Sequence, residues 1–147
     1  LVYDLRPPLL DEHGLLGAIR HLSGTLGGAT LTLDAPATLP PLPAAVEVAI
    51  YRIAAEAVQN VAKHAGASAC TIQVTLGEAA LTLRVADDGV GLPSDHAAGV
   101  GLLSMRERAA ELGGQLIVEP AAGGGTCVIA TIPLLSAERR ASERVSE

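Results

Sequence analysis

Aromatic side chains are nearly absent from this 147-residue sequence, which holds two Tyr, no Phe and no Trp. We therefore predict an aliphatic core of Leu, Val, Ile and Ala. The scarcity of rings argues against single-stranded nucleic-acid binding, which usually stacks bases on aromatic side chains. The net charge of -6, from 16 acidic and 10 basic residues, also disfavours a nucleic-acid partner.

Several other features are missing, and each absence excludes a class of site. The two cysteines, Cys70 and Cys127, lie far apart without a CxxC motif, so we predict two core residues in strands. No pair of Cys or His has zinc-ligand spacing. No apolar run is long enough to cross a bilayer, and no signal peptide is visible. Because the sequence starts at Leu1 without Met, we expect a fragment of a longer protein.

Apolar periodicity and turn residues predict a regular succession of elements. The predicted helices cover residues 9–26 and 101–112, with a central helix containing residues 51–64. The predicted strands cover residues 29–34, 69–76, 80–86, 115–119 and 126–132. Short connections make hairpins dominant, so we expect a mixed, mostly antiparallel sheet. Helices on one face of that sheet would give an α/β (α+β) two-layer sandwich.

The central helix carries polar residues beside its apolar face. Its predicted buried residues are Val46, Ile50, Ile53, Ala57 and Val61. Glu56, Asn60 and His64 lie four residues apart on a neighbouring stripe. The Asn60 amide oxygen suits Mg²⁺, and Glu56 could orient or deprotonate a water. Lys63 and His64 could contact phosphate. The same pattern also fits an amphipathic helix with a Glu56–Arg52 pair and a basic C-terminus.

Two glycine-containing segments follow. Asp87-Asp88-Gly89-Val90-Gly91 comes directly after a predicted strand, and its glycines permit positive φ and close approach of a ligand. Gly99-Val100-Gly101 precedes a helix predicted to open at Leu102, where free N–H groups favour phosphate. Taken alone, the first segment fits an ordinary tight turn better than a site, and the second also fits a mobile loop over residues 91–99 that ends in an ordinary N-cap. Ser104 in place of a third glycine excludes the dinucleotide fingerprint, and the sequence has no P-loop.

Taken in order, four segments resemble the ATP-binding catalytic domain of bacterial sensor histidine kinases. They are E-A-V-x-N-V-x-K-H-A, D-D-G-V-G, G-x-G-L-x-x-M-R-E-R and G-G-G-T. These kinases belong to the gyrase, Hsp90, histidine kinase and MutL ATPase superfamily, so the resemblance implies the Bergerat ATP-binding fold. The leading L-R-P-P-L-L-D-E is similar to the linker before the catalytic domain in the nitrate-sensor and DesK-like subfamily. The resemblance spans about residues 1–135.

The resemblance implies a role for each matching residue. Asn60 would bind Mg²⁺ with support from Glu56, and these two would be the catalytic pair. Asp87 would accept a hydrogen bond from the adenine amino group, and Thr126 would help to hold adenine. The implied ATP-binding residues are Asn60, Lys63, His64, Asp87, Gly89, Gly91, Gly99, Gly101, Leu102 and Thr126. Asp88 stands where the family often has Asn, so it would add negative charge near the pocket.

The resemblance also implies a domain organisation. Residues 1–8 would link to an upstream dimerisation and phosphoacceptor domain, residues 9–135 would form the ATP-binding domain, and residues 136–147 would be a disordered tail. The implied reaction is γ-phosphoryl transfer from Mg–ATP to a histidine on that separate domain, with a response regulator downstream. We expect a cytoplasmic domain that is monomeric as a fragment, within a homodimeric parent for which a membrane anchor stays open. Without the phosphoacceptor His, the fragment should not autophosphorylate.

Three alternatives use the same segments. A gyrase- or MutL-type ATPase would use Glu56 as hydrolytic base, although a following transducer domain would be needed. A serine kinase of the anti-sigma type shares the fold, but the L-R-P-P-L-L-D-E segment argues against it. A non-catalytic pseudokinase module would bind nucleotide or only protein, and the intact motifs disfavour it.

Overall fold

Three helices and five strands make up the fold. The computed structural model describes residues 5–90 and 99–134; nothing is described of residues 1–4, 91–98 and 135–147. The helices are α1 (Pro8–Arg20), α2 (Ala44–Asn60) and α3 (Gly99–Glu111). The strands are β1 (Thr30–Asp34), β2 (Ala69–Leu76), β3 (Ala80–Asp87), β4 (Gln115–Pro120) and β5 (Thr126–Pro133). A 3₁₀ turn, His21–Thr25, follows α1, and a π-helical turn, Val61–Ala65, follows α2.

The strands form one mixed sheet in the order β1-β2-β3-β5-β4. β1 runs parallel to β2, and the other three pairings are antiparallel. β2 and β3 form the predicted hairpin, closed by a 2.9 Å hydrogen bond from Gly77 N to Ala80 O. Burial alternates strictly along β2 and β3, as expected when one face of a sheet is covered. The covering elements are the helices, so the predicted two-layer sandwich is confirmed.

The core between the two layers is aliphatic, as the shortage of aromatic residues predicted. All five apolar residues predicted for the central helix are buried, and Ile50 and Ile53 are fully so. Each β-branched or leucine side chain removed from water contributes about 1.5–3 kcal/mol, which is the main stabilisation available to a chain with this composition. Cys70 and Cys127 are buried free thiols in β2 and β5, which confirms their predicted placement.

The helix boundaries differ from the prediction for local reasons. α1 begins at Pro8, because a proline at the first helical position loses no hydrogen bond. Gly14, with φ 70° and ψ 176°, interrupts α1, and regular α-helix ends at Arg20 instead of near residue 26. α3 begins at Gly99, so the prediction that this helix opens at Leu102 is wrong. Gly66, with φ 58°, ends the π-helical turn after α2 in the left-handed region that glycine tolerates.

The residues before α1 are attached to α2. Arg6 Nε donates to Asp11 at 2.7 Å, and Arg6 Nη2 donates to Glu47 at 3.1 Å. These bonds raise the pKa of Arg6, the Asp11 bond most strongly. Arg52 Nη2 donates to the Leu5 carbonyl at 3.0 Å. Two arginines therefore fix Leu5 and Arg6, in the described part of the predicted linker, against the helix that carries Glu56 and Asn60. Within residues 5–90 and 99–134, no helix combines the length and hydropathy needed to span a bilayer.

Candidate functional site

Three buried polar side chains converge on one pocket. Asn60, Asp87 and Thr126 are 7%, 7% and 8% exposed, and they are the only buried polar or charged residues in the part of the chain that the structure describes. All three line the same small pocket. Burying a polar group costs free energy unless it is hydrogen-bonded, so a chain that gathers three such groups in one place indicates a binding site.

The ends of three elements place these side chains. Asn60 is the last residue of α2, Asp87 the last of β3 and Thr126 the first of β5. Antiparallel pairing of β3 with β5 matches Ala86 with Cys127, which brings Asp87 and Thr126 to the same edge of the sheet. α2 packs across β3 and β5 and delivers Asn60 to that edge. The apolar walls are Ala57, Val61, Val85 and Val128.

The pocket is small in this structure, with a volume of about 10 Å³. This volume holds roughly one water molecule, so these residues form the floor of a binding site and not its full extent. A larger cavity of about 290 Å³ lies between Arg6 and the ends of α2 and α3, but it contains none of the predicted site residues. We assign the site to the smaller pocket because the buried carboxylate, amide and hydroxyl lie there.

Asp87 lines the pocket and also takes part in the turn that follows β3. Gly89 N donates to Asp87 Oδ1 at 2.8 Å, which closes the D-D-G turn on itself. Gly125, with φ 81°, passes so close that a Cβ there would lie 2.6 Å from Asp87 Oδ1. Only glycine fits at 125, and its place in a glycine triplet was the sequence signal for it.

Asn60 has an unused hydrogen-bonding group. Its Nδ2 is buried and has no hydrogen-bond partner among the described residues. Orphaned buried amides are rare, since each costs about 1–3 kcal/mol, and they call for an explanation such as a missing ligand. Asn60 is 7% exposed, so it is not an ordinary solvated residue of a helix surface.

Glu56 faces the first turn of α3. A Cβ on Gly101 would collide with the Glu56 carboxylate, so glycine is what allows α3 to approach α2 here. Glu56 lies one helical turn before Asn60 on α2, so the structure places one of the two predicted catalytic residues beside the first turn of α3. Among the described residues the alternative Glu56–Arg52 pair does not form, because Arg52 donates to the Leu5 carbonyl instead.

The other predicted site residues differ in how far the structure describes them. Lys63 is exposed on the π-helical turn that follows Asn60, and the backbone of His64 belongs to the same turn. Gly99 is the first residue of α3, while the Leu102 side chain is half-buried and packs against the core. Gly91 and most of the predicted loop over residues 91–99 lie outside the described residues. The sequence did not predict that the Asp88 carboxylate accepts a hydrogen bond from Ser68 Oγ.

Cys70 lies in the sheet next to Asp87 of the site. It pairs with Asp87 across β2 and β3 and is 1% exposed. Burial raises the pKa of this thiol to about 12, and the nearby carboxylates of Asp87 and Asp88 add to the shift. Burial likewise raises the pKa of Cys127. Both residues therefore remain neutral thiols at physiological pH and act as small core residues.

Comparison with known proteins identifies the family of this chain. A sequence profile of the family described as histidine kinase-, DNA gyrase B- and HSP90-like ATPase matches residues 45–136. The signal transduction histidine-protein kinase/phosphatase UhpB of Salmonella typhimurium is 37% identical over 138 residues, which cover 90% of this chain and 27% of that protein. The nitrate/nitrite sensor protein NarQ of Escherichia coli is 37% identical over 140 residues, covering 91% of this chain and 24% of that protein.

A solved structure has a similar fold. The blue-light activated histidine kinase of Erythrobacter litoralis EL346 is 27% identical, with a TM-score of 0.65, over 87% of this chain and 46% of that one. The chain thus spans about a quarter of the length of the two curated relatives. The resemblance to ATP-binding domains of sensor histidine kinases is confirmed. From the profile match, the fold and the pocket together, the chain belongs to the family of histidine kinase-, DNA gyrase B- and HSP90-like ATPases.

Proposed function

We propose that this chain is the Mg–ATP-binding catalytic domain of a sensor histidine kinase. In the longer protein it would present the γ-phosphate of ATP to a histidine on a separate domain. The observation that carries the proposal is the convergence of Asn60, Asp87 and Thr126, the three buried polar residues of the described part, on one pocket. The names of the curated relatives support the kinase assignment over the other activities of the family.

The adenine end of the site would be formed by Asp87, Thr126 and the glycines around them. Asp87 would accept a hydrogen bond from the exocyclic amine, while its Oδ1 also accepts from Gly89 N at 2.8 Å. Val85 and Val128 supply the apolar surface on which a purine ring packs. Gly89 and Gly125 would allow the backbone to approach the base closely, and the sequence predicts the same role for Gly91. The arrangement favours a base that donates at this position, as adenine does.

The phosphate end would be formed by α2, its π-helical turn and the start of α3. Asn60 would hold Mg²⁺ through its amide oxygen, which suits a hard cation. Its buried Nδ2, which has no partner among the described residues, would donate to a phosphate oxygen. Mg²⁺ held at this end would supply positive charge to neutralise the phosphates. Glu56 would support Asn60 there, while Lys63 and His64 would contact phosphate oxygens. The N–H groups of Gly99, Gly101 and Leu102 in the first turn of α3 would also face phosphate.

The transfer itself would need little chemistry from this chain. The bond from the γ-phosphorus to its bridging oxygen breaks, a bond to the acceptor imidazole nitrogen forms, ADP departs and the imidazole loses a proton. Positioning and charge neutralisation account for most of the catalysis in such reactions. The acceptor would belong to an upstream dimerisation domain joined through residues 1–8, and the product would serve a response regulator. The parent would be a homodimer with residues 9–135 as its ATP-binding domain.

Calorimetric titration of the chain with ATP, with and without Mg²⁺, tests the proposal. We expect Mg-dependent binding and no ADP release over hours, because no acceptor histidine has been assigned in this chain. Asn60→Ala should abolish the Mg-dependent part of binding and leave the thermal unfolding transition in place. Gln59→Ala is the matched control, since Gln59 is an exposed amide on the same helix.

Each other outcome has a definite meaning. Steady ADP release by the wild-type chain would replace the kinase assignment with an ATPase that uses Glu56 as its base. Absence of any nucleotide binding would favour a non-catalytic module. Equal Mg–ATP affinity in the wild type and in Asn60→Ala would remove Asn60 from the metal site.

A further inference from the structure

We infer that Asp88 is a positioning residue. It fixes the π-helical turn Val61–Ala65, which would contact phosphate, relative to the turn at Asp87 and Gly89, which would contact adenine. The inference rests on the proposed function, because it concerns the two ends of the same nucleotide site. From the sequence, the Asp88 carboxylate was expected only to add negative charge near the pocket.

Asp88 reaches from the end of β3 to the start of β2. Asp88 Oδ1 accepts hydrogen bonds from Ser68 N at 2.9 Å and from Ala69 N at 3.0 Å. Asp88 Oδ2 accepts from Ser68 Oγ at 2.6 Å. Its backbone N also donates to Ala69 O at 3.3 Å. We call this set of bonds the Asp88–Ser68 clamp.

The clamp acts on the short segment that follows α2. The π-helical turn Val61–Ala65 ends at Gly66, and only Ala67 separates that glycine from Ser68. Lys63 therefore lies five residues before the clamped serine, so fixing Ser68 restricts where the turn carrying Lys63 can lie. Apart from the clamp, the described contact that holds Ser68 is the bond from Thr30 N to its carbonyl at 3.0 Å.

Asp87 depends on the clamp much less than Lys63 does. Its backbone pairs with Cys70 in the sheet, its carboxylate accepts from Gly89 N, and Gly125 packs directly on it. These contacts remain when the Asp88 side chain is removed. Loss of the clamp should therefore weaken contacts to phosphate more than contacts to adenine.

The selective effect separates positioning from a merely structural role. A residue that only stabilises the fold would change the unfolding transition without changing the affinity of the folded chain. A residue that adds charge near the pocket would alter affinity in the opposite sense, since removing a negative charge should strengthen the binding of anionic ATP. Positioning predicts weaker binding of Mg–ATP, nearly unchanged binding of adenosine, and rescue by a side chain of the same shape.

The experiment compares Asp88→Ala, Asp88→Asn and Ser68→Ala with the wild-type chain by calorimetric titration with Mg–ATP and with adenosine. We expect Asp88→Ala to bind Mg–ATP roughly fivefold more weakly and adenosine within about twofold of wild type, because the lost bonds are exposed to solvent. Asp88→Asn should recover most of the affinity, since its Oδ1 can accept both N–H groups. Ser68→Ala removes only the Oγ bond and should lie between wild type and Asp88→Ala.

A double variant tests whether the effect passes through Lys63. If it does, Lys63→Ala combined with Asp88→Ala should lose less Mg–ATP affinity than the two single losses multiplied together. Asp34→Ala is the matched control, because Asp34 also joins two strands through an exposed carboxylate, here by accepting from Gln73 Nε2 at 3.2 Å. It should leave both affinities unchanged.

Three results would overturn the inference while the proposed function stands: unchanged Mg–ATP affinity in Asp88→Ala, equal weakening of ATP and adenosine, or Asp88→Asn as weak as Asp88→Ala. Should Asp88→Ala fail to fold, Ser68→Ala alone decides, and wild-type Mg–ATP affinity in that variant counts against positioning. Failure of the wild-type chain to bind Mg–ATP would overturn the proposed function itself, and the wild-type titration separates the two failures.

Discussion

Gly125 lies against the backbone and the carboxylate of Asp87, so closely that a Cβ at residue 125 would collide with the Asp87 carbonyl and lie 2.6 Å from Asp87 Oδ1. Its φ of 81° is also in the left-handed region. The start of β5 and the end of β3 are thereby held together at the point where Asp87 faces the pocket. A change at Gly125 should affect both the fold and the adenine end of the site.

Gly125→Ala should destabilise the chain by about 2 kcal/mol or more, because the backbone atoms that it meets cannot move aside and a left-handed alanine is strained. Urea denaturation measures the loss, and titration with adenosine measures the accompanying weakening of binding. Gly123→Ala is the control, since nothing lies within 4 Å of a Cβ there. If both variants had wild-type stability, the close contact with Asp87 would be contradicted.

Gly101→Ala should weaken the binding of Mg–ATP without destabilising the fold. The new methyl group would meet the Glu56 carboxylate, which is the far end of a flexible side chain and can be displaced. Replacing a helical glycine by alanine gains up to about 1 kcal/mol, so we expect stability to be unchanged or slightly higher. Affinity for Mg–ATP should fall several-fold, roughly three- to tenfold, because Glu56 loses its place beside Asn60.

Calorimetry with Mg–ATP and thermal unfolding check this prediction together. Gly24→Ala is the control, because Gly24 lies in the 3₁₀ turn with nothing within 4 Å of a Cβ. Wild-type affinity in Gly101→Ala would show that the position of Glu56 does not matter for binding.

The two thiols should be unreactive in the folded chain. The pKa of Cys70 is raised to about 12 by burial, and that of Cys127 is also raised by burial. We expect a disulfide reagent at pH 8 to label neither cysteine until denaturant is added, after which two thiols should react. Rapid labelling of the folded chain would show that the sheet opens readily at β2 or β5.

The raised pKa of Cys70 predicts that the folded chain loses stability at alkaline pH. Because the folded-state pKa of Cys70 is raised above its value in the unfolded chain, its stabilising contribution is complete below the unfolded pKa of about 8.5. It is lost as the pH rises from there toward about 12. Urea midpoints of the wild type should therefore fall between about pH 8.5 and 10.5, and Cys70→Ala should show a smaller fall. If the urea midpoint fell equally with pH in the wild type and in Cys70→Ala, the raised pKa of Cys70 would not be the cause of the fall.

The lowered pKa of Asp88 predicts that the folded chain loses stability at acidic pH. Its pKa is lowered, first by the hydrogen bond from Ser68 Oγ and then by the bond from Ala69 N. A lowered pKa means that the contribution is present above the unfolded value of an aspartate and disappears as the pH falls through the folded value. Urea midpoints should decline more steeply below about pH 4 in the wild type than in Asp88→Asn. Parallel declines would show that the clamp has no charge dependence.

The strands and the core were predictable because their signals are local. Alternation of apolar residues with Thr, Gln and Arg defined β2 and β3 to within one residue, and helical spacing from Val46 to Val61 identified the buried face of α2. Both patterns follow from the periods of strand and helix, which any chain must obey to bury one face.

The misplaced boundaries have backbone causes that the apolar pattern does not report. Leucines continue at helical spacing past Gly14 and past Arg20, so the interruption of α1 by a left-handed glycine left no trace in that pattern. α3 begins at Gly99, in a glycine-rich stretch that resembles a loop, and Gly101 in its first turn lies against the Glu56 carboxylate.

The sequence by itself determined the residue types of the site: a helical amide and carboxylate, an aspartate at a strand end, and glycines where a ligand must come close. Only the tertiary structure decided that Asn60, Asp87 and Thr126 meet in one pocket. It also decided that Asp88 turns to Ser68, twenty residues away in sequence. Such meetings depend on strand order and on the packing of α2 across the sheet, and these arise from burial summed over the whole core and not from any local pattern.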